Sequence, residues 1–327
     1  MKPRAVTGFG VLSPLGVGRS AFAHGLEAGT RPTPKDGQLD IPGFDPAQHL
    51  GDKGLRSLDR LTKLLIVTAK LALHDARIKR DGAWAALAPE DVGLVVSNAY
   101  GSLEATVELD RVATLEDARY INPSRFPLTV SNSAAGYASI WQELRALNVS
   151  VSDGNCGALD AVACADVFLE QGRAKALLVG GAEAASEALL LAFQMLGAVG
   201  DGASLGEGAA LAVVELPESA RARGATVLGE IVGYGTAFEP PEREASLLHP
   251  SPDALVRAIG DALADAGIAA GDVDLVVSGV SGVRAFDDAE LLAISRALPS
   301  GDVGVLAPKL SLGETVGAGG AMAMAAA

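Results

Sequence analysis

Large rings and thiols are scarce in this chain: only 4% of its 327 residues are aromatic, and cysteine occurs twice, as Cys156 and Cys164. With so few rings, the core has to be built from aliphatic side chains and from the abundant glycine and alanine, whose small size lets elements approach closely. Two cysteines eight residues apart form neither a disulfide framework nor a metal-binding spacing. That fits a reducing cytoplasm and implies no bound metal or other cofactor. Basic charge is short as well, with Lys+Arg 26 against Asp+Glu 40 for a net charge of −14. Nucleic acid and anionic membranes reward clustered Lys and Arg, so neither is an expected partner. Long apolar runs are missing too. The tract ALLLAFQMLGAVG at 188–200 is broken by Gln194 and is too short to cross a bilayer. The start, MKPRAVTGFG, enters a strand pattern without the apolar core of a signal peptide.

What is present alternates. Gly-bounded apolar runs at Arg4–Leu12, Val92–Ser97, Asn148–Ser152, Ala174–Gly180, Ala209–Leu216, Val227–Gly233, Val273–Ser278 and Val303–Leu306 predict strands. Helical spacing fills the gaps at Ser20–Glu27, Leu58–Ile78, Leu103–Val112, Leu159–Glu170, Pro252–Ala266 and Asp287–Ala297. This order predicts an α/β protein with mostly parallel, doubly covered sheets. An internal echo pairs DARI at 75–78 and DVGLVVS at 91–97 with DAGI at 265–268 and DVDLVVS at 272–278. Two duplicated halves, 1–235 and a shorter 236–327, are therefore expected to pack as one unit, with the Pro- and Glu-rich loop 236–253 between them.

The stretch VSVSDGNCGALDAV at 149–162 is a strand emptying into a tight turn at the foot of a helix. Backbone N–H groups and the helix dipole there favour a thiolate, which makes Cys156 a candidate nucleophile. Cys164, inside the apolar run AVACADVF, reads as a buried small hydrophobe. His24 and His74 fall in helical segments beside charged or small residues, and no Ser-His-Asp arrangement can be assembled from the four histidines.

Ordered motifs along most of the chain carry a resemblance. AVTGFGVLSPLG at 5–16, FDPAQHLGDKGLRSLDRLTKLLIVTAKLALHDARI at 44–78, NPSRFPLTVSNSAAG at 122–136, VGGAEA at 179–184, LGEGAALAVVE at 205–215 and RARGATVLGEIVGYG at 221–235 resemble the β-ketoacyl synthases of the thiolase fold. The resemblance implies a five-layered αβαβα arrangement of duplicated halves, dimerised through the strand before the nucleophile. It also implies an acyl-holding Cys and two His that assist decarboxylation of the extender unit. The nucleophile motif, similar to VSTACASGLDA, lies without gaps on VSDGNCGALDA at 151–161 and puts Asn155, not Cys156, at the nucleophile position. The first His motif is matched by DLVVSGVSGVRAFDDAE at 274–290, with Gly279 at the His position. The second is matched by KLSLGETVGAGG at 309–320, which keeps Lys309 and puts Glu314 at the His position. Glu314 then reads as an anion at a helix N-terminus.

A ketosynthase without these groups most resembles the chain-length factor, or β subunit, of a type II polyketide synthase. That implies a catalytic ketosynthase subunit as heterodimer partner, an acyl carrier protein engaged through that partner, and a growing polyketide chain in a shared tunnel. By the same resemblance Leu103, Thr106, Val107 and Asp110 on one helical face, with Phe126 of the Asn122–Phe126 loop, lie at the interface and set where the tunnel closes. Two other readings stand beside it: an acyl-condensing enzyme using Cys156, and a non-enzymatic thiolase-fold binding protein. The connection AVGDGAS at 198–204 is shorter than the family's usual insert, and the chain stops at GAGGAMAMAAA where family members continue.

Overall fold

The computed structural model describes residues 1–200, 202–241, 249–299 and 303–327. Residues 242–248 of the expected boundary loop and Asp201 of the short connection lie outside the described residues.

The main sheet is built from β1 (Arg4–Ser13), β2 (Val92–Ser97), β3 (Asn148–Val151), β4 (Ala176–Glu183), β5 (Gly208–Glu215) and β6 (Gly229–Ile231). Its order is β6-β1-β5-β4-β2-β3, with β3 at one edge. Every residue of β2, β4 and β5 is buried, as expected of strands covered on both faces. The period of two sorts their side chains: Leu94, Val96 and Leu178 join one core cluster, while Val95, Leu177 and Val179 join the other.

The expectation of a mostly parallel sheet needs correcting. β2 is parallel to both β3 and β4, but β5 is antiparallel to both of its neighbours, and β6 is antiparallel to β1. The reason is the connection. After β4 the chain makes helix 187–195 and the loop beyond it at one end of the sheet, then re-enters beside the strand it left, so it has to run back.

Around the sheet lie α1 (Arg19–Glu27), α2 (Arg60–Asp75), α3 (Leu103–Val112), α4 (Ser133–Gln142), α5 (Gly157–Glu170) and α6 (Glu187–Met195). Asp59 starts α2 by accepting from the Thr62 N–H at 2.9 Å, the side-chain cap that a first turn requires. The stripe Leu58, Leu61, Leu65, Ala69, Ala72 and Ala76 is buried throughout. It meets β1 so closely that a Cβ on Gly10 would lie 2.1 Å from the Thr68 carbonyl oxygen. Where β1 and β5 end, buried Glu215 accepts from Arg223 Nη2 at 2.6 Å and Thr7 Oγ1 at 2.5 Å, and Arg223 donates onward to the Ala76 carbonyl. Helix α4, absent from the sequence reading, packs against α2.

The C-terminal half adds α7 (Pro252–Ala266), β7 (Leu275–Val277), α8 (Arg284–Ala297), β8 (Gly304–Leu306) and α9 (Gly319–Ala326). Strands β7 and β8 form a two-stranded parallel sheet, α7 packs on α8, and α9 lies with α5 between the two sheets. The order is outer helices α2 and α4, main sheet, α5 and α9, short sheet, then α7 and α8. This is the five-layered arrangement, with the second sheet smaller than the first among the described residues.

Gly10→Ala is expected to destabilise the protein by about 3 kcal/mol, because the backbone of α2 has to retreat from an overpacked contact. The urea midpoint measures it, and an unchanged midpoint contradicts the packing described.

Candidate active site

The tight turn Gly154–Cys156 joins β3 to α5. Its position is fixed from below, since a Cβ on Gly157 would stand 2.2 Å from Ser97 Oγ at the end of β2. Asn155 faces solvent, and Cys156 is exposed as a residue while its thiol is partly covered. Asn155 holds a carboxamide at the apex of the turn, a group with no ionisable proton for acyl transfer.

The surroundings of Cys156 reverse the effect expected from the helix start. Burial of the thiol, followed by the charges of Asp160 and Asp153, pushes its pKa up, and the ammonium of Lys309 opposes this only in part. Asp160 is itself raised, chiefly by burial, and accepts a hydrogen bond from the Tyr234 hydroxyl. Burial and that same carboxylate push the Tyr234 pKa up to about 12. A thiol held neutral among carboxylates is a poor nucleophile.

Lys309 is the cation of the site. Its Nζ donates to Glu314 Oε2 at 2.7 Å and Oε1 at 2.9 Å, and Glu314 Oε1 also accepts from the Val316 N–H at 2.8 Å. Glu314 is buried. Val316, a β-branched residue at φ 42°, is held in the left-handed region by its packing with Leu189, Val199 and Leu205 and by that carboxylate. Gly279 is covered by Glu290: the Gly279 N–H donates to Glu290 Oε1 at 2.6 Å, and a Cβ at 279 would meet Oε2 at 2.9 Å. Burial raises the Glu290 pKa, partly offset by the Gly279 N–H and by Lys309. Asn155, Cys156, Gly279 and Glu314 therefore gather around one ammonium and several carboxylates.

A further carboxylate lies deeper. Glu183, at the end of β4, is 1% exposed and accepts from the Ala99 and Gly317 N–H groups on Oε2 at 2.8 and 3.2 Å. Burial, resisted by these bonds, pushes its pKa up to about 7. Glu183 belongs to the VGGAEA motif, which by itself assigns it no chemistry.

Of the predicted tunnel residues, Leu103 reaches the edge of this cluster and Thr106, Val107, Asp110 and Phe126 stand apart from it. Leu103 is half-buried and packs with Val316 and Leu189, whereas Thr106, Val107, Asp110 and Phe126 are exposed. On the adjoining segments Leu115, Tyr120 and Ile140 are also exposed, each at more than 70%. Among the described residues, β3 pairs only with β2, so its outer edge is open beside them.

The pattern described as the β-ketoacyl synthase N-terminal domain matches residues 1–220, and that of the C-terminal domain matches 228–327. The chain belongs to the β-ketoacyl synthase family. It is 29% identical to the 3-oxoacyl-[acyl-carrier-protein] synthase 2 of Vibrio cholerae serotype O1 over 97% of this chain and 83% of that one. It is 31% identical to the putative polyketide β-ketoacyl synthase 2 of Streptomyces halstedii over 94% and 80%. It is 29% identical to the tetracenomycin polyketide synthase ketoacyl synthase β subunit of Streptomyces glaucescens over 99% and 84%. Among solved structures, the ishigamide ketosynthase/chain length factor superposes with a TM-score of 0.87 at 24% identity over 99% of this chain and 84% of that one. A type II polyketide acyl carrier protein complexed with its hexaketide-bound ketosynthase gives 0.84 at 21% over 99% and 85%. These superpositions show the thiolase fold of this β-ketoacyl synthase family member. Among the described residues, no helix is long and apolar enough to cross a membrane.

Two tests follow from this geometry. Asp160→Asn removes a carboxylate that raises the Cys156 pKa, so alkylation of Cys156 by iodoacetamide at pH 7.5 should accelerate several-fold, read by mass spectrometry with Cys164 as internal reference. Lys309→Met strands a buried carboxylate and should cost about 3 kcal/mol in urea denaturation, while adding Glu314→Gln should recover most of that loss.

Proposed function

We propose that this chain is the non-catalytic, chain-length-determining partner of a catalytic ketosynthase subunit. The observation that carries this reading is Glu314, held by Lys309 where condensing members of the family resemble one another in carrying a His. Decarboxylative condensation needs donors aimed at the enolate oxygen, and each lost donor costs on the order of 3 kcal/mol. A buried carboxylate offers none, and it repels both the malonyl carboxylate and the enolate. Asn155 at the nucleophile position and Gly279 at the first His position, covered by Glu290, act in the same direction.

Surfaces suited to association accompany this site. The open edge of β3 and the exposed apolar residues Phe126, Val107, Tyr120 and Ile140 offer a surface that favours a covering subunit. In this reading the partner performs the chemistry and receives the acyl carrier protein, and a growing polyketide chain passes into a tunnel closed by α3. Similarity to a polyketide synthase ketoacyl synthase β subunit and to a ketosynthase/chain length factor supports that kind of partner.

Co-expression with a candidate catalytic subunit should give a stoichiometric complex whose turnover survives Cys156→Ala; lack of a complex rejects the proposal. Within the complex, Thr106→Trp or Val107→Trp should shorten the product seen by mass spectrometry. An unchanged product length removes α3 from the tunnel.

A further inference from the structure

Glu183 joins two segments far apart in sequence. One is Asn98–Ser102, which feeds directly into α3; the other is Gly313–Ala318, the segment that carries Glu314. Its Oε2 takes the 2.8 Å bond from the Ala99 N–H and the 3.2 Å bond from the Gly317 N–H, so a single oxygen bridges both. Among the described residues the other oxygen, Oε1, meets only the Tyr100 N–H, at 3.4 Å, and is the atom available to carry a proton. The fit is tight, since a Cβ on Gly317 would lie 2.7 Å from Oε2 and 2.8 Å from the Asn98 Cα. Among the described residues, Asn98 Oδ1 and Thr315 Oγ1 on these segments are buried without hydrogen-bond partners, so the carboxyl bridge is a main polar tie between them.

The elements around Glu183 bring several charged and titratable groups, most of the ionic ones paired elsewhere. Tyr100 comes from the first segment. From the second comes Glu314, paired with Lys309. On the β5 side Glu207, next to the cross-strand neighbour Gly208, is paired with Arg60 at the start of α2. The first turns of α5 bring the Cys156 thiol and Asp160, which is bonded to Tyr234. Neither β2 nor α9 contributes a titratable side chain. Among the described residues no cation pairs with the ionised form of Glu183, and it is the shielding from water that decides its state.

We propose that Glu183 is a proton-operated latch: its neutral carboxyl keeps the Asn98–Ser102 segment, and α3 with it, seated on the Gly313–Ala318 segment, and ionisation releases them. The direction follows from linkage. The closed state holds the proton up to about pH 7. A solvated, opened state releases it near the ordinary carboxylate value, so stability supplied by the proton is complete in acid and is lost as pH rises through neutrality. With the closed state titrating at about 7 and the opened one near the ordinary carboxylate value, the opening equilibrium should grow about tenfold between pH 6 and pH 8. The latch lies within this chain and does not depend on its having a ketosynthase partner.

Hydrogen–deuterium exchange on the isolated chain, expressed as protection factors corrected for intrinsic rates, tests it. In the wild type, protection in 97–103 and 313–318 should fall about tenfold from pH 6 to pH 8 relative to the α2 and β5 segments. Glu183→Gln, which keeps the accepting oxygen and cannot ionise, should show flat protection. An equal fall in Glu183→Gln, or no excess fall in the wild type, overturns the latch. If Glu183→Gln does not fold, the wild-type pH series decides alone.

Discussion

Backbone pressed against backbone is the constraint on which the rest of this structure depends. A Cβ on Gly181 would stand 2.1 Å from the Gly317 carbonyl oxygen, and one on Gly206 would stand 1.9 Å from that of Leu312. Side chains cannot intervene there, so the segment from Leu312 to Ala318 is set directly against the end of the main sheet. That seating brings Glu314 and Lys309 up to the turn at Asn155 and Cys156, and it lets Glu183 reach the Gly317 N–H. A chain poor in rings and rich in glycine and alanine can make such contacts, because close approach replaces bulk as the source of dispersion energy.

Electrostatics at this junction follow from the same closeness. Several carboxyl groups, those of Glu183, Glu290, Glu314 and Asp160, share a small region with one ammonium. Lys309 is committed to Glu314, so Glu183, Glu290 and Asp160 are raised by burial and the Cys156 thiol is kept protonated beside them. An enolate or a malonyl carboxylate would meet negative charge here, which is the opposite of what a condensing site arranges. The family fold is retained in this chain while the polar groups at this junction hold one another.

Much of this was legible in the residues. Helices α3 and α7 begin and end where the apolar spacing places them, and the six-residue stripe on α2 is buried from Leu58 to Ala76. The direction of β5 was not legible, because a fully buried apolar run reads the same forwards and backwards. Helix α4 escaped because SAAGYASIWQ has little amphipathic contrast to reveal it. The motif register located Asn155, Gly279 and Glu314, yet it was silent on Glu290 folding back over Gly279 and on Asp153 and Asp160 flanking the thiol.

What the sequence determined by itself was the family, the layered fold and the identity of the side chains that the motifs bring into register, because motif order and hydrophobic period are properties of the linear chain. What only the tertiary structure decided was how the groups around those side chains pair and which of them are pushed towards holding a proton. Whether Cys156 is a thiolate, whether Glu314 stands alone, and whether Glu183 keeps its proton depend on burial and on partners that may lie over a hundred residues away. Desolvation and Coulomb terms act through space, and that space exists only after the chain has folded.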